Sequence, residues 1–471
     1  MKILYLGAGF VGACSAAVMA DSGHNILVYD IDVNKIKMLG SGDRDLIQNC
    51  LFEDGLGDLL IQNKDQIKFS SDYNDIIKNL DKLDAVFMCL PTPEKIGSKG
   101  ESDLSFYFLA AEDLAKNLAQ RNNGEQTKYV VIINKSTVPI EMIDETEKIM
   151  KKYGVKNFGL ISNPEFLVEG KAIYGSLKPD RIVIGAWTEE DFKIVRNIYQ
   201  RFYSSPTVQY IEVNPKEAAA GKLLANYYLF SKLAICYDVI GRTCESFDSL
   251  QFENLRKIIS SDPRLGSWGL FDSFFAGGSC FSKDTASLAH QLESKGVDVS
   301  YTKEALRVNN HQCDNFYDRA NKEAGFDFKN KVVAILGVAF KRDTNDVRNS
   351  GSIEIVNKLI DDCVKEIKIY DPAAMPMFKK VFDVTKDVRY RVINYFDSEK
   401  EALSGSDVCM VLTDWPKFRE VGGIIKNICP TPYLIMDGRR MLAVEFDELQ
   451  NLGYDIIAVG SPFLKGVLKN K

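Results

Sequence analysis

At 471 residues, 45% of them hydrophobic and 26% charged, the chain has the composition of a soluble globular protein and the length for roughly two to four domains with large cores. A net charge of −6 excludes a general nucleic-acid binder, so any anionic ligand must be met by a local cluster of Lys and Arg. Ten scattered cysteines with no C-x-x-C pair, beside three histidines, argue against a structural metal and predict a reducing, cytoplasmic setting.

The chain opens on an uncharged run, Ile3 to Ala20, that follows Lys2 and ends in V-M-A, as a signal peptide would. Glycines at Gly7, Gly9 and Gly12, and an acid closing the next strand-like segment, argue for folded structure instead, and no other segment reads as membrane-spanning. Over the first two hundred residues the apolar runs Ile3–Leu6, Ile26–Tyr29, Ala85–Leu90, Val130–Ile133, Gly159–Ile161, Ile182–Ile184 and Val208–Ile211 alternate with helical patterns. Continuous apolar runs predict strands covered on both faces, as in a parallel α/β sheet. Within them, Gly7-Ala8-Gly9-Phe10-Val11-Gly12 follows a strand and opens a helix, and Asp30 ends the second strand eighteen residues after Gly12. The glycines permit a tight turn, approach of a pyrophosphate and close helix–sheet packing, while the acid is placed to accept from a ribose hydroxyl, which favours NAD over NADP.

Asn163-Pro164-Glu165-Phe166-Leu167-Val168-Glu169-Gly170 reads as a loop with two acids four apart, either functional or simply exposed. From Pro215 the texture becomes Ala/Leu-rich and proline-free, predicting one helix to about Gly241 and further helix to about Ala320, a natural spine or dimer surface. Lys222 and Asn226, four apart, share a face of that helix and can hold a developing oxyanion; the alternative is a solvated face. Phe275 to Thr285, F-A-G-G-S-C-F-S-K-D-T, places Cys280 at a predicted helix start with Lys283 and Asp284 one turn on. A helix N-terminus and a nearby ammonium both favour a thiolate, although most cysteines fill core space.

At Lys331 the strand pattern returns: V-V-A-I-L-G, a helix from about Gly351 to Cys363, then E-I-K-I-Y-D, echoing the opening with Asp371 in the place of Asp30. Val408–Leu412 and Tyr433–Met436 continue this second sheet, and the closing K-G-V-L-K-N-K reads as a frayed tail. Lys341, Arg342 and Arg348 after the second glycine turn, and Arg439 and Arg440 after Asp437-Gly438, can meet a phosphate or lie as surface charges.

Together these segments resemble the UDP-glucose/GDP-mannose dehydrogenase family over nearly the whole chain and in the same order. The matching motifs are G-A-G-F-V-G, K-S-T-V-P at 135–139, N-P-E-F-L-V-E-G at 163–170, G-K-L-L-A-N at 221–226, D-P-R-L-G at 262–266, G-G-S-C-F-S-K-D at 277–284, F-K-R-D-T-N-D-V-R at 340–348 and D-G-R-R at 437–440. The last two look more like the UDP-glucose branch than the GDP-mannose or UDP-aminosugar branches. The resemblance implies an α/β fold with two Rossmann-like parallel-sheet domains, an NAD-binding one at 1–214 and a UDP-binding one at 325–471, joined by a central long helix and helical dimerisation region at 215–324. It implies oxidation of the C6 alcohol of UDP-glucose to a carboxylate with two NAD+ in turn, in a homodimer or higher homo-oligomer.

By the same resemblance Cys280 is the nucleophile, Lys222 and Asn226 hold the oxyanion, Asp284 lies near the thiol and a water, and Glu165 and Thr137 position or activate water. Which of Lys222, Asp284 or a water takes the first proton is left open. Phe166, Leu167 and Glu169 would surround the sugar, together with Glu165, Lys222 and Asn226; Lys341 and Arg439 would meet the diphosphate, and Arg264 a neighbouring subunit's substrate. Cofactor contacts would come from Gly7, Gly9, Phe10, Val11, Gly12, Asp30, Lys35, Thr92, Thr137, Glu169, Lys283 and Arg348. The chain departs from the family pattern at Phe275-Ala276 before the Gly-Gly of the cysteine loop, at Pro91-Thr92-Pro93 and at Ile140-Glu141. The competing readings are a two-electron hydroxyacid dehydrogenase, which would not need Cys280, a sister enzyme for GDP-mannose or a UDP-aminosugar, and a nucleotide-binding regulator without turnover.

Overall fold

The apolar runs form two separate sheets, each within its own unit of chain. The computed structural model describes residues 1–98, 100–120, 128–271 and 273–467. One unit comprises Met1–Ala225 with Ser287–Val297, the other Asn226–Ala286 with Asp298–Lys471.

The first unit holds β1 (Lys2–Leu6), β2 (Asn25–Tyr29), β3 (Ile67–Ser70), β4 (Ala85–Met88), β5 (Val130–Asn134), β6 (Phe158–Ser162), β7 (Arg181–Gly185) and β8 (Gln209–Val213). They lie in the order β3-β2-β1-β4-β5-β6-β7-β8. Alternate side chains of β1 go to opposite faces. Ile3 and Tyr5 pack with Ala13, Ala16 and Ala17 of the helix Phe10–Asp21, while Leu4 and Leu6 pack with Tyr107, Ala111 and Leu114 of the helix Ser105–Gln120. Covering both faces is what a continuous apolar run demands. The second unit holds β9 (Val332–Leu336), β10 (Glu366–Tyr370), β11 (Ile393–Tyr395), β12 (Val408–Val411), β13 (Leu434–Asp437) and β14 (Asp455–Ala458), in the order β11-β10-β9-β12-β13-β14. This is the doubly wound order 3-2-1-4-5-6, and β3-β2-β1-β4-β5-β6 repeats it in the first sheet.

Three details differ from the sequence reading. The β6–β7 pairing is antiparallel, through Ser162 and Gly185, in an otherwise parallel sheet. Three strands lie outside the predicted set: β3, whose Ile67-Lys68-Phe69-Ser70 is half-exposed at a sheet edge, the three-residue β11, and β14. The helix from Pro215 is regular to Ala234, passes through a π-helical segment at Ile235–Gly241, and continues as Arg242–Ser246. This continuous Pro215–Ser246 helix is long and apolar enough to cross a membrane by length and composition, so the expectation that no further segment reaches that length does not hold. Lys222 and Asn226 are buried on it.

The expected fraying of the last residues does not extend to 465–467, and 468–471 lie outside the described residues. Lys465 pairs with Asp455 at 2.8 Å, and the amides of Gly466 and Val467 donate to Asp455 and to the Gln450 carbonyl.

The repeated turn is where each sheet is least tolerant. Gly7 (φ +101°) and Gly337 (φ +93°) donate their amides to the carbonyls of Tyr29 and Tyr370, each at 2.8 Å. A Cβ on Gly7 would lie 2.2 Å from the Cys89 carbonyl oxygen, and one on Gly337 2.4 Å from Thr413 Cβ. Gly7→Ala and Gly337→Ala should each lose at least about 2 kcal/mol in chemical unfolding, from clash and a disfavoured backbone conformation together. Gly221→Ala, whose Cβ meets nothing within 4 Å on a helix, should be neutral or gain up to about 1 kcal/mol.

Candidate active site

The C-terminal ends of the strands carry the functional side chains, and in the first unit they start from the glycine turn. Gly9 is the N-cap of the helix Phe10–Asp21 and offers no side-chain cap, and a Cβ there would meet nothing within 4 Å. An open position above free helix N–H groups is what a pyrophosphate requires. Gly12 closes the turn from below, since a Cβ there would sit 2.1 Å from the Gly7 carbonyl oxygen. Phe10 and Val11 form the first helical turn. Asp30 accepts from the Ala8 amide at 2.8 Å, from the Asp32 amide at 2.9 Å and from Lys35 Nζ at 3.1 Å. The predicted ribose acceptor is therefore also the brace of the glycine turn. These residues fit a dinucleotide.

The ends of β4 and β5 are bound together by hydroxyls. Ser136 Oγ accepts from the Leu90 amide at 2.7 Å and donates to the Leu90 carbonyl at 2.8 Å, and Thr92 Oγ1 donates to the Thr137 carbonyl at 2.7 Å. The residues after T-V-P that depart from the family pattern are both engaged: the Ile140 amide donates to Gln291 Oε1 at 2.8 Å, and Glu141 pairs with Lys295 at 3.0 Å.

Glu165 and Lys222 form a buried ion pair at 3.0 Å, with side-chain exposures of 8% and 5%. Glu165 Oε2 also accepts from the Leu167 amide at 2.5 Å. Phe166 lies between cations, with the Arg181 guanidinium 4.0 Å and Lys222 Nζ 5.3 Å from its ring centroid. Thr137 and Lys222 line a small cleft with Asn134, Ser162 and Pro164. Glu169 is half-buried in the same loop.

In the second unit Cys280 immediately precedes the helix Phe281–Ser294, and its carbonyl accepts the first helical hydrogen bond from the Asp284 amide at 2.8 Å. The thiol is half-buried. Burial pushes the Cys89 and Cys313 thiols up to about 12, and those of Cys14 and Cys409 well above the ordinary range, so these are poor nucleophiles. The Asp284 carboxylate is shared, accepting from Asn226 Nδ2 at 2.6 Å and pairing with Lys283 Nζ at 2.6 Å. The Lys283 ammonium thus lies beside Asp284 one turn into the helix, and Cys280 stands at the helix N-terminus, whose partial positive charge favours a thiolate.

Phe275 and Ala276, where the chain departs from the family pattern, are both buried. Phe275 is buried in the core of the second sheet, and Ala276 is held by Asn309, which accepts from its amide at 2.8 Å and donates to its carbonyl at 3.2 Å.

The echo of the first turn is literal at the backbone and different at the acid. Asp371 accepts from the Val338 and Ala339 amides at 2.7 and 3.1 Å, from Ala373 and Ala374 at 2.8 Å each, and from Trp415 Nε1 at 3.2 Å, and it is fully buried. It has no edge to offer a ribose. Of the basic residues nearby, Arg439 donates to the carbonyls of Leu412 (2.9 Å) and Phe340 (2.8 Å), Lys341 lies with its Nζ 5.5 Å from the Phe340 ring centroid, and Arg348 forks onto Asp346. Arg440 is tied to Glu253 and the Val459 carbonyl, which gives it a structural role. Arg264 is 87% exposed and pairs with Asp262 in its own loop.

Comparison with known proteins places this geometry. Residues 1–203 match the NAD binding domain, 216–311 the central domain and 334–444 the UDP binding domain of the UDP-glucose/GDP-mannose dehydrogenase family. The chain belongs to that family. It is 30% identical over 470 residues to UDP-glucose 6-dehydrogenase TuaD of Bacillus subtilis, covering 99% of this chain and 94% of the relative. It is 30% identical to UDP-glucose 6-dehydrogenase AglM of Haloferax volcanii, over 94% of this chain and 97% of that one. Among solved structures it resembles a UDP-glucose dehydrogenase from Pyrobaculum islandicum, with a TM-score of 0.81 and 25% identity over 94% of each chain. It shares the fold of a UDP-D-ManNAc dehydrogenase from Pyrococcus horikoshii, with a TM-score of 0.77 and 22% identity over 98% of this chain and 99% of that one. The protein is accordingly an NAD-dependent oxidoreductase acting on a nucleotide sugar.

Sequence reasoning passed over two supports of the family loop at 163–170. Glu53 is buried and accepts from the amides of Gly170 (2.8 Å) and Ala172 (2.9 Å); it stands in no motif. Lys135, the first residue of K-S-T-V-P, is buried with its Nζ 3.1 Å from Asn163 Oδ1 and 3.3 Å from the Asn163 carbonyl. Its neutral acceptors do not repay desolvation of the ammonium, and burial lowers its pKa to about 8.

The unfolded chain, with a lysine near 10.5, then binds more protons than the native state between about pH 8 and 10.5. This group makes the fold more stable as pH rises through that window, by up to about 1.4 kcal/mol per pH unit. Unfolding free energy measured against pH should show a shallower rise in Lys135→Met than in the parent across that window and parallel curves at pH 6–7. Equal slopes throughout would place the Lys135 titration elsewhere.

Proposed function

We propose that this protein oxidises UDP-glucose to UDP-glucuronate in two successive two-electron steps, with Cys280 carrying the sugar as a thioester. The observation that carries the reading is Cys280 at the start of the helix Phe281–Ser294, one turn before an Asp284 hydrogen-bonded to Asn226, in a chain 30% identical to UDP-glucose 6-dehydrogenases over nearly its whole length. Bound NAD+ supplies the hydride acceptor for each step.

In the first step the C6 alcohol loses a hydride and a proton and becomes an aldehyde, the proton passing to Lys222, Asp284 or a water. An aldehyde carbon must become tetrahedral before it can lose a second hydride. The Cys280 sulfur bonds to C6 and a proton is delivered to the oxygen, giving a thiohemiacetal. Loss of the second hydride and of the hydroxyl proton leaves a thioester; water adds, the C–S bond breaks, and the acid leaves with the thiol restored. Lys222 and Asn226, one turn apart on one helix, stabilise negative charge on O6, and the Glu165 ion pair fixes where the Lys222 ammonium stands. Thr137 and Glu165 position the hydrolytic water. Phe166, Leu167 and Glu169 surround the sugar, and Lys341 and Arg439 meet the diphosphate.

Arg264, exposed on its own subunit, reaches the substrate of a second copy, in a homodimer or larger homo-oligomer. A reducing cytosol is the setting that suits its ten scattered cysteines.

Cys280→Ala should lower UDP-glucuronate formation at least about a thousandfold while UDP-glucose affinity stays within about threefold, because the thiol makes a covalent intermediate and few ground-state contacts. Acid formation at the parent rate would overturn the mechanism. In the parent enzyme, kcat/KM should be highest for UDP-glucose; a higher value for GDP-mannose or a UDP-aminosugar would keep the chemistry and overturn the substrate.

A further inference from the structure

The loop that follows the second glycine turn grips the cysteine loop from both sides. Asn349 stands in the left-handed region at φ +49°. Its Nδ2 donates to the Gly278 carbonyl at 3.3 Å and to Ser282 Oγ at 3.0 Å, and its own carbonyl accepts from the Gly278 amide at 3.2 Å. One residue thus holds the chain two positions before Cys280 and two positions after it.

The glycines of the motif are what allow this. A Cβ on Gly277 would lie 2.6 Å from the Asn349 carbonyl oxygen, and one on Gly278, at φ +93°, 2.8 Å from the Phe340 ring. The gripping loop is itself fixed at the nucleotide side. The Phe340 carbonyl accepts from Arg439 Nη2 at 2.8 Å, and its amide donates to the Asp346 carbonyl at 3.1 Å. Asp346 in turn accepts from the Arg348 amide at 2.8 Å, and Ser350 then caps the helix Gly351–Asp361.

We infer that Asn349 is a positioning residue that links the UDP-binding loop at 338–350 to the alignment of Cys280, so that a bound nucleoside diphosphate sets the thiol against its helix N-terminus before any sugar chemistry begins. The inference rests on the reading of this loop as the nucleotide site and of Cys280 as the nucleophile. A phosphate drawn to Lys341 and Arg439 acts on Phe340 through the Arg439–carbonyl bond and on Gly278 through the Phe340 ring. Asn349 carries the same displacement to Gly278 and Ser282.

The test uses the full-length enzyme and Asn349→Gly, which tolerates φ +49° and keeps the backbone carbonyl while deleting the amide side chain. Alkylation of Cys280 by iodoacetamide, mapped by peptide mass, is followed against pH with and without saturating UDP. In the parent, UDP should lower the midpoint pH of alkylation. In Asn349→Gly the midpoint without UDP should rise by about 0.5 pH unit, the size expected for a charge losing its registration with a helix terminus, and UDP should no longer move it. UDP affinity should stay within about threefold of the parent, and kcat should fall about tenfold or more with KM for the nucleotide sugar nearly unchanged.

A variant whose midpoint responds to UDP as the parent's does would overturn the inference. So would a variant that loses UDP affinity and thermal stability together, since that is a merely structural role. Failure of the parent to bind UDP would contradict the nucleotide reading itself. The midpoints without UDP still decide whether Asn349 aligns the thiol.

Discussion

Where a parallel strand ends, its last carbonyls and the first N–H groups of the following loop run out of ladder partners, and water or a side chain must take their place. In this protein side chains do so at nearly every strand end that matters. Asp30 and Asp371 hold the amides after the two glycine turns. Ser136 joins the ends of β4 and β5, and Glu53 holds the loop that carries Glu165. Asn309 and Asn349 secure the cysteine loop at the Ala276 amide and the Gly278 carbonyl. Each of these bonds satisfies a backbone group and at the same time fixes a loop against a rigid sheet, which is how a loop presents reactive groups without blurring them.

The two sheets show how one turn serves two purposes. In the first, Gly9 leaves open space above a helix start and Asp30 braces the turn with 11% of its side chain exposed. In the second, Ala339 stands where Gly9 would, fully buried with its carbonyl accepting from Thr413, and Asp371 is enclosed by five N–H groups. The repeated topology survives, but the cradle for a dinucleotide does not. Lys341 lies on the loop that grips Gly278, and Arg439, after β13, donates to the Phe340 carbonyl of that loop; these are the residues proposed to meet a diphosphate.

Much of this was legible in the sequence, because glycines, prolines and strand-end acids state local geometry directly. G-A-G-F-V-G with Asp30 carries the first turn, helix and acid, and the Tyr-Asp echo marks the second glycine turn and its strand order. The run G-G-S-C located Cys280 at its helix start, and Lys222 and Asn226 fell one turn apart on a regular helix. What stayed hidden depends on long-range partners. Glu53 lies more than a hundred residues from the amides it holds, and Asn349, just past the motif at 340–348, is 71 residues from Gly278, so no local pattern names their partners. The pairing of Lys283 with its neighbour Asp284 is likewise visible only in the structure. β3 was missed because Lys68 at a sheet edge interrupts the apolar run by which buried strands are recognised. The π-helical turn at Ile235–Gly241 follows from no local signal in I-C-Y-D-V-I-G.

Under the proposed mechanism the thiol at the head of the helix Phe281–Ser294 allows one enzyme to take four electrons from one carbon. The most direct measurement is the number of NADH formed per molecule of limiting UDP-glucose, with the product identified by mass. Two NADH and UDP-glucuronate are expected, with no free aldehyde accumulating. One NADH and a released aldehyde would contradict the mechanism, leaving an alcohol dehydrogenase in which Cys280 has no covalent part.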